Sequence, residues 1–185
     1  MPFDHFDIIA PLFARTSYSS LELMRKLAGL PAKGRLLDVG GGTGRVTSGL
    51  RADVDEIVIA DVSMGMLKQS ASLPGLQAVL GYSEALPFPD ASFERVIMVD
   101  ALHHVISHAE SAREMLRVLK PGGRIVIQEP DIKTFGVKLI AIAEKLLLMR
   151  SHFLSADSIT ALFPNTRTNI ILEDSSAWVV VESKI

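Results

Sequence analysis

Residues 36–46 read LLDVGGGTGRV, and this stretch decides the fold. Apolar residues lead into Asp38, and four of the five residues at 40–44 are glycine. Glycine permits positive φ angles, and it lets the backbone approach a ligand that a Cβ would hold away. If a helix follows, its unpaired N–H groups point toward whatever the loop holds. The pattern therefore predicts a buried strand that ends in a ligand-binding loop.

Two common nucleotide-binding loops do not fit these residues. The dinucleotide fingerprint G-x-G-x-x-G requires a third glycine at position 45, where this chain has Arg45. The phosphate-binding loop requires a lysine after its last glycine, and no lysine follows Gly44. What remains is an acid followed by alternate glycines, at Asp38, Gly40, Gly42 and Gly44. Taken alone, such a loop is also found in plain strand–helix turns.

A second acidic residue ends the next predicted strand. Residues 57–61 read IVIAD, a run rich in β-branched side chains that ends at Asp61. A carboxylate at the tip of this strand can accept hydrogen bonds from the two vicinal hydroxyls of a ribose. An exposed aspartate at a strand end is the simpler alternative, and this stretch alone does not decide between the two.

Three further stretches complete a set of motifs in the same order along the chain. They are residues 61–67 (DVSMGML), 81–93 (GYSEALPFPDASF) and 117–123 (RVLKPGG). Together with the glycine loop they resemble the motifs of the class I S-adenosylmethionine (SAM)-dependent methyltransferases, although Tyr82 replaces the family's usual acid. Residues 6–13 (FDIIAPLF) resemble the opening of the ubiquinone and menaquinone biosynthesis methyltransferases, with phenylalanine replacing a tyrosine. The chain is therefore similar to the methyltransferase type 11 branch.

The resemblance implies a SAM site at fixed positions. The loop glycines let the family's backbone approach the methionine and ribose, while the acid corresponding to Asp38 holds the methionine amino end. Asp61 corresponds to the residue that accepts from the ribose hydroxyls. The other positions flank the adenine or meet the methionine through their backbone. The implied cofactor contacts are Asp38, Gly40, Gly41, Gly42, Gly44, Asp61, Val62, Met66, Tyr82, Ser83, Glu84, Asp100 and Ala101.

Two histidines after the fourth predicted strand, His103 and His104, are the candidate catalytic residues. They stand in an L-H-H-V stretch that resembles the family's, at the ligand side of the sheet. An imidazole can act as a base near neutral pH, and methyl transfer needs a base only when the acceptor must lose a proton. The simpler alternative is that one histidine packs the pocket and the other caps a loop. No metal site is expected, because a helix that starts at Ser107 would not place His104 and His108 on one face.

Composition predicts a globular chain with a small-molecule substrate. The 185 residues are 48% apolar with a net charge of −2, and no basic cluster suggests a nucleic-acid partner. The absence of cysteine fits the cytoplasm, which is the expected location. No integral membrane segment is expected, because charged residues interrupt the apolar stretch 135–149, which is shorter than the roughly 20 residues that span a bilayer.

Alternating strands and helices predict an α/β, Rossmann-like, doubly wound fold. We expect a seven-stranded, mostly parallel sheet that ends in an antiparallel β-hairpin. The predicted strands are 35–39, 56–60, 76–80, 95–99, 124–128, 169–172 and 178–181. The predicted helices are segments within 5–29, then 43–51, a short helix after Ser63, 107–119, 136–150 and 156–163.

Residues 1–185 are expected to form one domain. Within it, residues 1–30 are predicted to be an N-terminal helical lid, and residues 131–165 an insertion on the substrate side. Both are rich in apolar side chains, including Phe153, which favours an apolar or aromatic methyl acceptor. Ordinary core packing or a homodimer contact explains the same side chains equally well.

Two other functions are consistent with part of the pattern. An NAD-dependent oxidoreductase uses a related fold, but the dinucleotide fingerprint fails, and neither Tyr18 nor Tyr82 is followed by lysine four residues later. A non-catalytic SAM-binding protein remains an alternative, because the cofactor carries the activated group and no catalytic residue is obligatory.

Overall fold

The computed structural model describes residues 18–134 and 152–183. Most of the predicted N-terminal lid and the whole predicted helix at 136–150 therefore lie outside the described residues. In chain order the elements are α1 (Leu21–Ala28), β1 (Arg35–Val39), a 3-10 turn (Thr47–Leu50), β2 (Glu56–Asp61), α2 (Met64–Ser70), β3 (Leu76–Leu80), β4 (Phe93–Val99), a second 3-10 turn (Leu102–His104), α3 (His108–Val118), β5 (Leu119–Pro130), α4 (Ala156–Ala161), β6 (Arg167–Glu173) and β7 (Ser176–Glu182).

The seven strands of the described residues form one sheet, in the order β3-β2-β1-β4-β5-β7-β6. Strands β1 to β5 pair in parallel, and β7 runs antiparallel between β5 and β6. This arrangement confirms the predicted α/β class and its terminal hairpin. The strand order reverses between β1 and β4, and ligands of doubly wound sheets bind at such a switch point, outside the carboxyl ends of the strands.

Helices cover both faces of the sheet because neighbouring residues of a strand point to opposite sides. Leu36 packs in one buried cluster and Leu37 in the other. The cluster around Leu37 includes side chains of α3 and α4, and the cluster around Leu36 includes side chains of α1 and α2. Each cluster holds large apolar residues, namely Met115, Ile159 and Phe163 on the first face and Met24, Leu67 and Trp178 on the second.

The helix predicted at 43–51 is wrong. The chain forms turns up to residue 46 and then one short 3-10 turn over Thr47–Leu50. Gly44 has φ +77°, which a right-handed helix does not accommodate, and Gly49 and the β-branched Thr47 are weak helix formers. The glycine loop therefore continues into a series of turns on the ligand side of the sheet, and no regular α-helix follows it directly.

The other predicted elements in the described residues occur, with β1 and β3 at the predicted bounds of 35–39 and 76–80 and most of the rest with shifted bounds. β4 begins at Phe93, and β5 extends back to Leu119, so residues 120–123 (KPGG) of the last motif lie inside β5. The pairing of β4 with β5 is irregular there, because the register shifts between Phe93 and Arg95, and Gly122 has φ +72°. Among residues 18–134 and 152–183, no helix has the length and apolar character needed to cross a membrane.

Candidate functional site

A cavity of about 480 Å³ opens at the switch point of the sheet. Its walls come from the glycine loop after β1, the ends of β2 and β4, and the segments that follow β3 and β4. All the predicted cofactor residues except Gly44 line it, and His103 and His104 line it too. The topology thus brings the motif residues to one place, and the size suits a small-molecule ligand, whose pockets span roughly 300–1,000 Å³.

The loop glycines serve two different purposes. Gly40 has φ +70° and donates its N–H to the carbonyl of Ala60 at 2.7 Å. A Cβ on Gly40 would lie 2.6 Å from the Cβ of Ala101, so the two loops touch only because this position is glycine. Gly44 faces the core instead, where a Cβ would lie 3.0 Å from Leu76 Cδ1. Gly44 therefore allows close packing beneath the loop and does not line the cavity.

Asp61 fastens the glycine loop to the start of α2. Its Oδ2 accepts the N–H of Gly42 at 2.9 Å, and its Oδ1 accepts the N–H of Ser63 at 2.8 Å. Ser63 in turn caps α2, because its hydroxyl accepts the N–H of Met66 at 3.3 Å. The carboxylate thus stands on the cavity wall in a fixed orientation, with both oxygens engaged by the backbone.

Asp38 is a buried acid with an unsatisfied oxygen. It is 1% exposed, and its Oδ2 has no hydrogen-bond partner among the described residues. Burial raises the pKa of Asp38 to about 7, and the negative charge of Asp61 adds to this increase, while Thr47 and Arg45 oppose it. A buried acceptor that lacks a partner is costly. Because Asp38 also lines the cavity, a cationic ligand group would satisfy it.

Arg45 crosses the cavity wall and meets Asp100. Its Nη2 lies 3.4 Å from Asp100 Oδ2, and its guanidinium carbon lies 5.4 Å from the ring centre of Tyr18. The Tyr18 hydroxyl donates to the side-chain oxygen of Gln128 on β5. Asp100 adopts φ +51°, and burial and then Glu129 raise its pKa despite Arg45. In the sequence, Arg45 stands out only because it replaces a glycine of the dinucleotide fingerprint, so its place on the cavity wall was missed.

Glu84 and Ser83 also line the cavity, but their polar atoms bind the protein. Glu84 Oε1 accepts the N–H groups of Ile106 at 2.8 Å and Ser107 at 3.2 Å, at the start of α3. The Ser83 hydroxyl donates to Glu84 Oε2 at 3.0 Å and lies 2.8 Å from that of Ser111. Burial raises the pKa of Glu84, but these donors outweigh burial and lower it overall. Glu84 therefore shapes this wall by anchoring α3.

His103 belongs to a buried set of three side chains. Its Nδ1 lies 2.6 Å from Oε2 of Glu129, which is 2% exposed, and its ring stacks on Phe153 with centroids 4.5 Å apart. The backbone N–H of His152 donates to the carbonyl of His103 at 2.7 Å. Glu129 was not predicted, and Phe153 was noted only as an apolar residue of the insertion. No motif signals either of them.

His104 differs from its neighbour. The two rings lie 4.0 Å apart, and burial, with a contribution from His103, lowers the pKa of His104 to about 4. Such a ring stays neutral at pH 7 and is a weak base. Burial also lowers the pKa of His108. Within the described ranges, no three side chains of the ligating types gather as a metal site would require.

Comparisons with known proteins agree with this geometry. Residues 37–127 match a family described as a methyltransferase domain. The ubiquinone/menaquinone biosynthesis C-methyltransferase UbiE of Pseudomonas aeruginosa is 38% identical over 146 residues, which cover 72% of this chain and 57% of the relative. This chain belongs to the class I SAM-dependent methyltransferase family. The UbiE protein of Stutzerimonas stutzeri is 33% identical over the same shares of the two chains. The chain thus spans little more than half the length of these curated relatives.

Solved structures show the same fold. A SAM-dependent methyltransferase from Thermotoga maritima has a TM-score of 0.79 and 21% identity, covering 97% of this chain and 98% of that chain. A SAM-dependent methyltransferase from Aquifex aeolicus has a TM-score of 0.74 and 17% identity, covering 97% and 98%. At such identities the likeness concerns the architecture alone, so the chemistry must be argued from the residues of the cavity.

SAM is the cofactor of this methyltransferase family, and the residues of the cavity fit it. The unsatisfied oxygen of Asp38 suits an ammonium group. Because Gly40 has no Cβ, its side chain takes up no space where the two loops meet. Asp61 presents a carboxylate at the tip of β2, where ribose hydroxyls are bound in this class of sheet.

Proposed function

We propose that the protein transfers the methyl group of SAM to a small acceptor that is apolar or aromatic. The observation that carries this proposal is a single cavity with two unlike walls. One wall holds the glycine loop, Asp38 and Asp61. The cavity is also lined by His103 and by apolar side chains that include Val105, Pro130 and Phe153, and we assign these to a second, acceptor wall. A cofactor on the first wall would present its reactive group toward the second.

On the cofactor wall, each proposed contact follows from the geometry. The Asp38 carboxylate would receive the ammonium of the methionine part, since its Oδ2 lacks a partner among the described residues. Asp61 would accept from the ribose hydroxyls in addition to its two backbone donors. Val62, Met66 and Tyr82 would flank the adenine, because they line the cavity and follow the ends of β2 and β3.

On the acceptor wall, the aromatic and apolar lining favours a flat or hydrophobic molecule. Pro130 directly precedes the segment that we predicted as a substrate-side insertion, residues 131–165, and Phe153 lies within that segment. We propose that the parts of residues 1–30 and 131–165 outside α1 and α4 cover the acceptor, since α1 and α4 pack on the two faces of the sheet. The curated relatives are named as C-methyltransferases of ubiquinone and menaquinone biosynthesis, so hydroquinones and phenols are the first acceptors to try.

The protein's contribution to the reaction is alignment and exclusion of water. The cofactor supplies an activated methyl group on a sulfonium. Correct orientation of two reactants can remove roughly 7–11 kcal/mol from a barrier, so a cavity that fixes both partners accounts for much of the rate. The loops after β1 and β4 touch at Gly40 and Ala101, which fixes the two walls relative to each other.

Calorimetric titration with SAM and with S-adenosylhomocysteine tests the cofactor wall. Replacing Asp61 with Ala should weaken SAM binding by about 1.5–3 kcal/mol, or roughly 10- to 150-fold, the value of hydrogen bonds to a charged group. Asp55→Ala is the matched control, because Asp55 also accepts a glycine N–H, that of Gly34 at 2.7 Å, but lies outside the cavity. Equal affinity in wild type and Asp61→Ala would mean that the ribose does not bind there.

Transfer of a labelled methyl group from SAM to hydroquinone, catechol and a metabolite extract tests catalysis. Labelled product is the expected result. SAM binding without transfer to any acceptor would favour a non-catalytic SAM-binding protein. Stabilisation by NAD, with no response to SAM at millimolar concentration, would contradict the proposal and favour an oxidoreductase.

A further inference from the structure

Glu129 connects the loop after β4 to a candidate base. Its Oε1 accepts the backbone N–H groups of Ala101 at 3.0 Å and Leu102 at 2.7 Å. Its Oε2 lies 2.6 Å from Nδ1 of His103. The carboxyl group is 2% exposed and comes from the end of β5, so its position is set by the sheet rather than by a mobile loop.

These contacts determine which nitrogen of His103 carries a proton. Two N–H donors on Oε1 suit an ionised carboxylate, which can only accept hydrogen bonds. Oε2 therefore accepts a hydrogen bond from Nδ1–H of the ring, and in that tautomer the lone pair of the neutral imidazole is on Nε2, at the opposite edge. Parallel stacking on Phe153, with an angle of 11° between the rings, holds the imidazole plane.

We infer that Glu129 is a positioning residue that holds His103 in the Nδ1–H tautomer, so that Nε2 takes a proton from the methyl acceptor. This inference rests on the proposed function and specifies its substrate class. The acceptor is a phenol, a hydroquinone or another molecule whose reacting group loses a proton. A nucleophile without a proton to lose, such as a thioether or a tertiary amine, would make no use of this arrangement.

A hydroxyl acceptor would lose its proton to His103 as its oxygen is methylated. The acceptor oxygen forms a bond to the methyl carbon while the carbon–sulfur bond of the sulfonium breaks, and the electron pair of that bond stays on sulfur. The acceptor's proton moves to Nε2 of His103. The resulting imidazolium lies against the Glu129 carboxylate, which stabilises its charge without itself being protonated. For transfer to a ring carbon, the same base takes the phenolic proton that activates the ring.

The neighbouring histidine does not compete for this role. Burial and His103 lower the pKa of His104 to about 4, so it binds a proton poorly at neutral pH. His103, in contrast, has the Glu129 carboxylate within hydrogen-bond distance of its ring. The geometry thus separates two adjacent histidines that the sequence presents as equivalent candidates.

Nitrogen-15 NMR of histidine-labelled protein tests the tautomer without any acceptor, with His103→Asn to identify the signals. Wild type should show a protonated Nδ1 and an unprotonated Nε2 on His103. Glu129→Gln offers a carbonyl for the two backbone N–H groups and an amide N–H₂ for Nδ1, so it should reverse the tautomer. Because the backbone contacts remain, the affinity for SAM should stay within about threefold.

In transfer assays with hydroquinone, Glu129→Gln should lower kcat by roughly 10²- to 10⁴-fold, the usual range for acid–base catalysis, with the KM for SAM unchanged. The acidic limb of its pH profile should disappear. Glu94→Gln is the control, since Glu94 binds Lys120 and the backbone of Arg35 at the other end of the sheet. It should change neither kcat nor the tautomer.

A protonated Nε2 on His103 of wild type would overturn the inference even if SAM binds and methyl transfer occurs. An unchanged kcat and pH profile in Glu129→Gln would overturn it as well. Failure of the wild-type protein to bind SAM would instead contradict the proposed function and leave the NMR result standing, so the two failures are distinguishable.

Discussion

The two walls of the cavity are built by different means. The cofactor wall depends on backbone geometry, because Gly40 and Gly42 adopt positive φ and Asp61 binds backbone N–H groups. The acceptor wall depends on side chains from distant parts of the chain, with His103 held between Glu129 and Phe153. Backbone requirements restrict the residue type to glycine or a short acid. Side-chain arrangements tolerate many sequences, provided that the fold brings the groups together.

The largest effect is expected from a methyl group on the cofactor wall. Replacing Gly40 with Ala places a Cβ 2.6 Å from that of Ala101, and both atoms are fixed to the backbone, so one loop must move. Alanine also pays about 1–2 kcal/mol for the left-handed φ of +70°. We expect SAM affinity to fall by more than roughly 100-fold, measured by calorimetry, a loss larger than backbone strain alone would produce.

Gly122→Ala distinguishes the effect of backbone strain from the effect of the clash with Ala101. Gly122 has φ +72°, nearly the same as Gly40, but a Cβ there would meet nothing within 4 Å. Gly122→Ala should lose only the stability that the left-handed φ costs, Gly40→Ala should lose more because of the clash with Ala101, and only Gly40→Ala should lose SAM binding. If both variants bound SAM as wild type does, the contact between the two loops would not matter for the cofactor.

The cofactor wall could be predicted because its physical requirements are local. Asp38 and the glycines occur in one stretch at the end of β1, and Asp61 ends the next strand, so parallel pairing places them side by side. Strand bounds were predicted to within a few residues wherever a β-branched run made the pattern plain. The helix at 43–51 was wrong because the loop glycines determine the local conformation more strongly than the apolar spacing that follows them.

We expect the affinity for SAM to change about tenfold with pH. In the unliganded protein the pKa of Asp38 is about 7, whereas an ammonium ligand favours the ionised carboxylate. Between pH 8 and pH 6 most Asp38 side chains become protonated, so SAM affinity should fall about tenfold, with proton release on binding at pH 6. Asp38→Asn removes the titrating carboxyl group, so any pH dependence of SAM affinity that remains comes from the ligand itself. A wild-type affinity that does not change over this range would contradict the assignment.

The raised pKa of Asp38 also makes the stability of the unliganded protein depend on pH. The folded pKa of Asp38 lies above its unfolded value, so its contribution is fully present below about pH 4 and is lost as pH rises through 7. Asp38→Asn should therefore raise the thermal midpoint of the unliganded protein more at pH 8 than at pH 5. Thermal unfolding at the two pH values measures this difference directly.

The acceptor wall could be predicted only in part. His103 follows β4 directly, where topology places ligand-side residues, and so it was found. Glu129 lies one residue beyond the predicted fifth strand, and nothing in its sequence neighbourhood indicates that its carboxylate binds Ala101, Leu102 and His103. Phe153 is one of several apolar residues in its segment. Their roles come from tertiary contacts between sequence-distant residues, which no local pattern records.

The smallest effect is expected at Phe153, and it tests whether the two walls are separable. Leucine at this position keeps an apolar contact but removes the stack on His103, a loss of roughly 0.5–1.5 kcal/mol. The KM for hydroquinone should rise two- to tenfold, while SAM affinity stays within about twofold. Phe163→Leu makes the same change in the core and should lower stability without altering either constant. A matching loss of SAM affinity in Phe153→Leu would show instead that His103, through Glu129 and the Ala101 backbone, couples the acceptor wall to the cofactor wall.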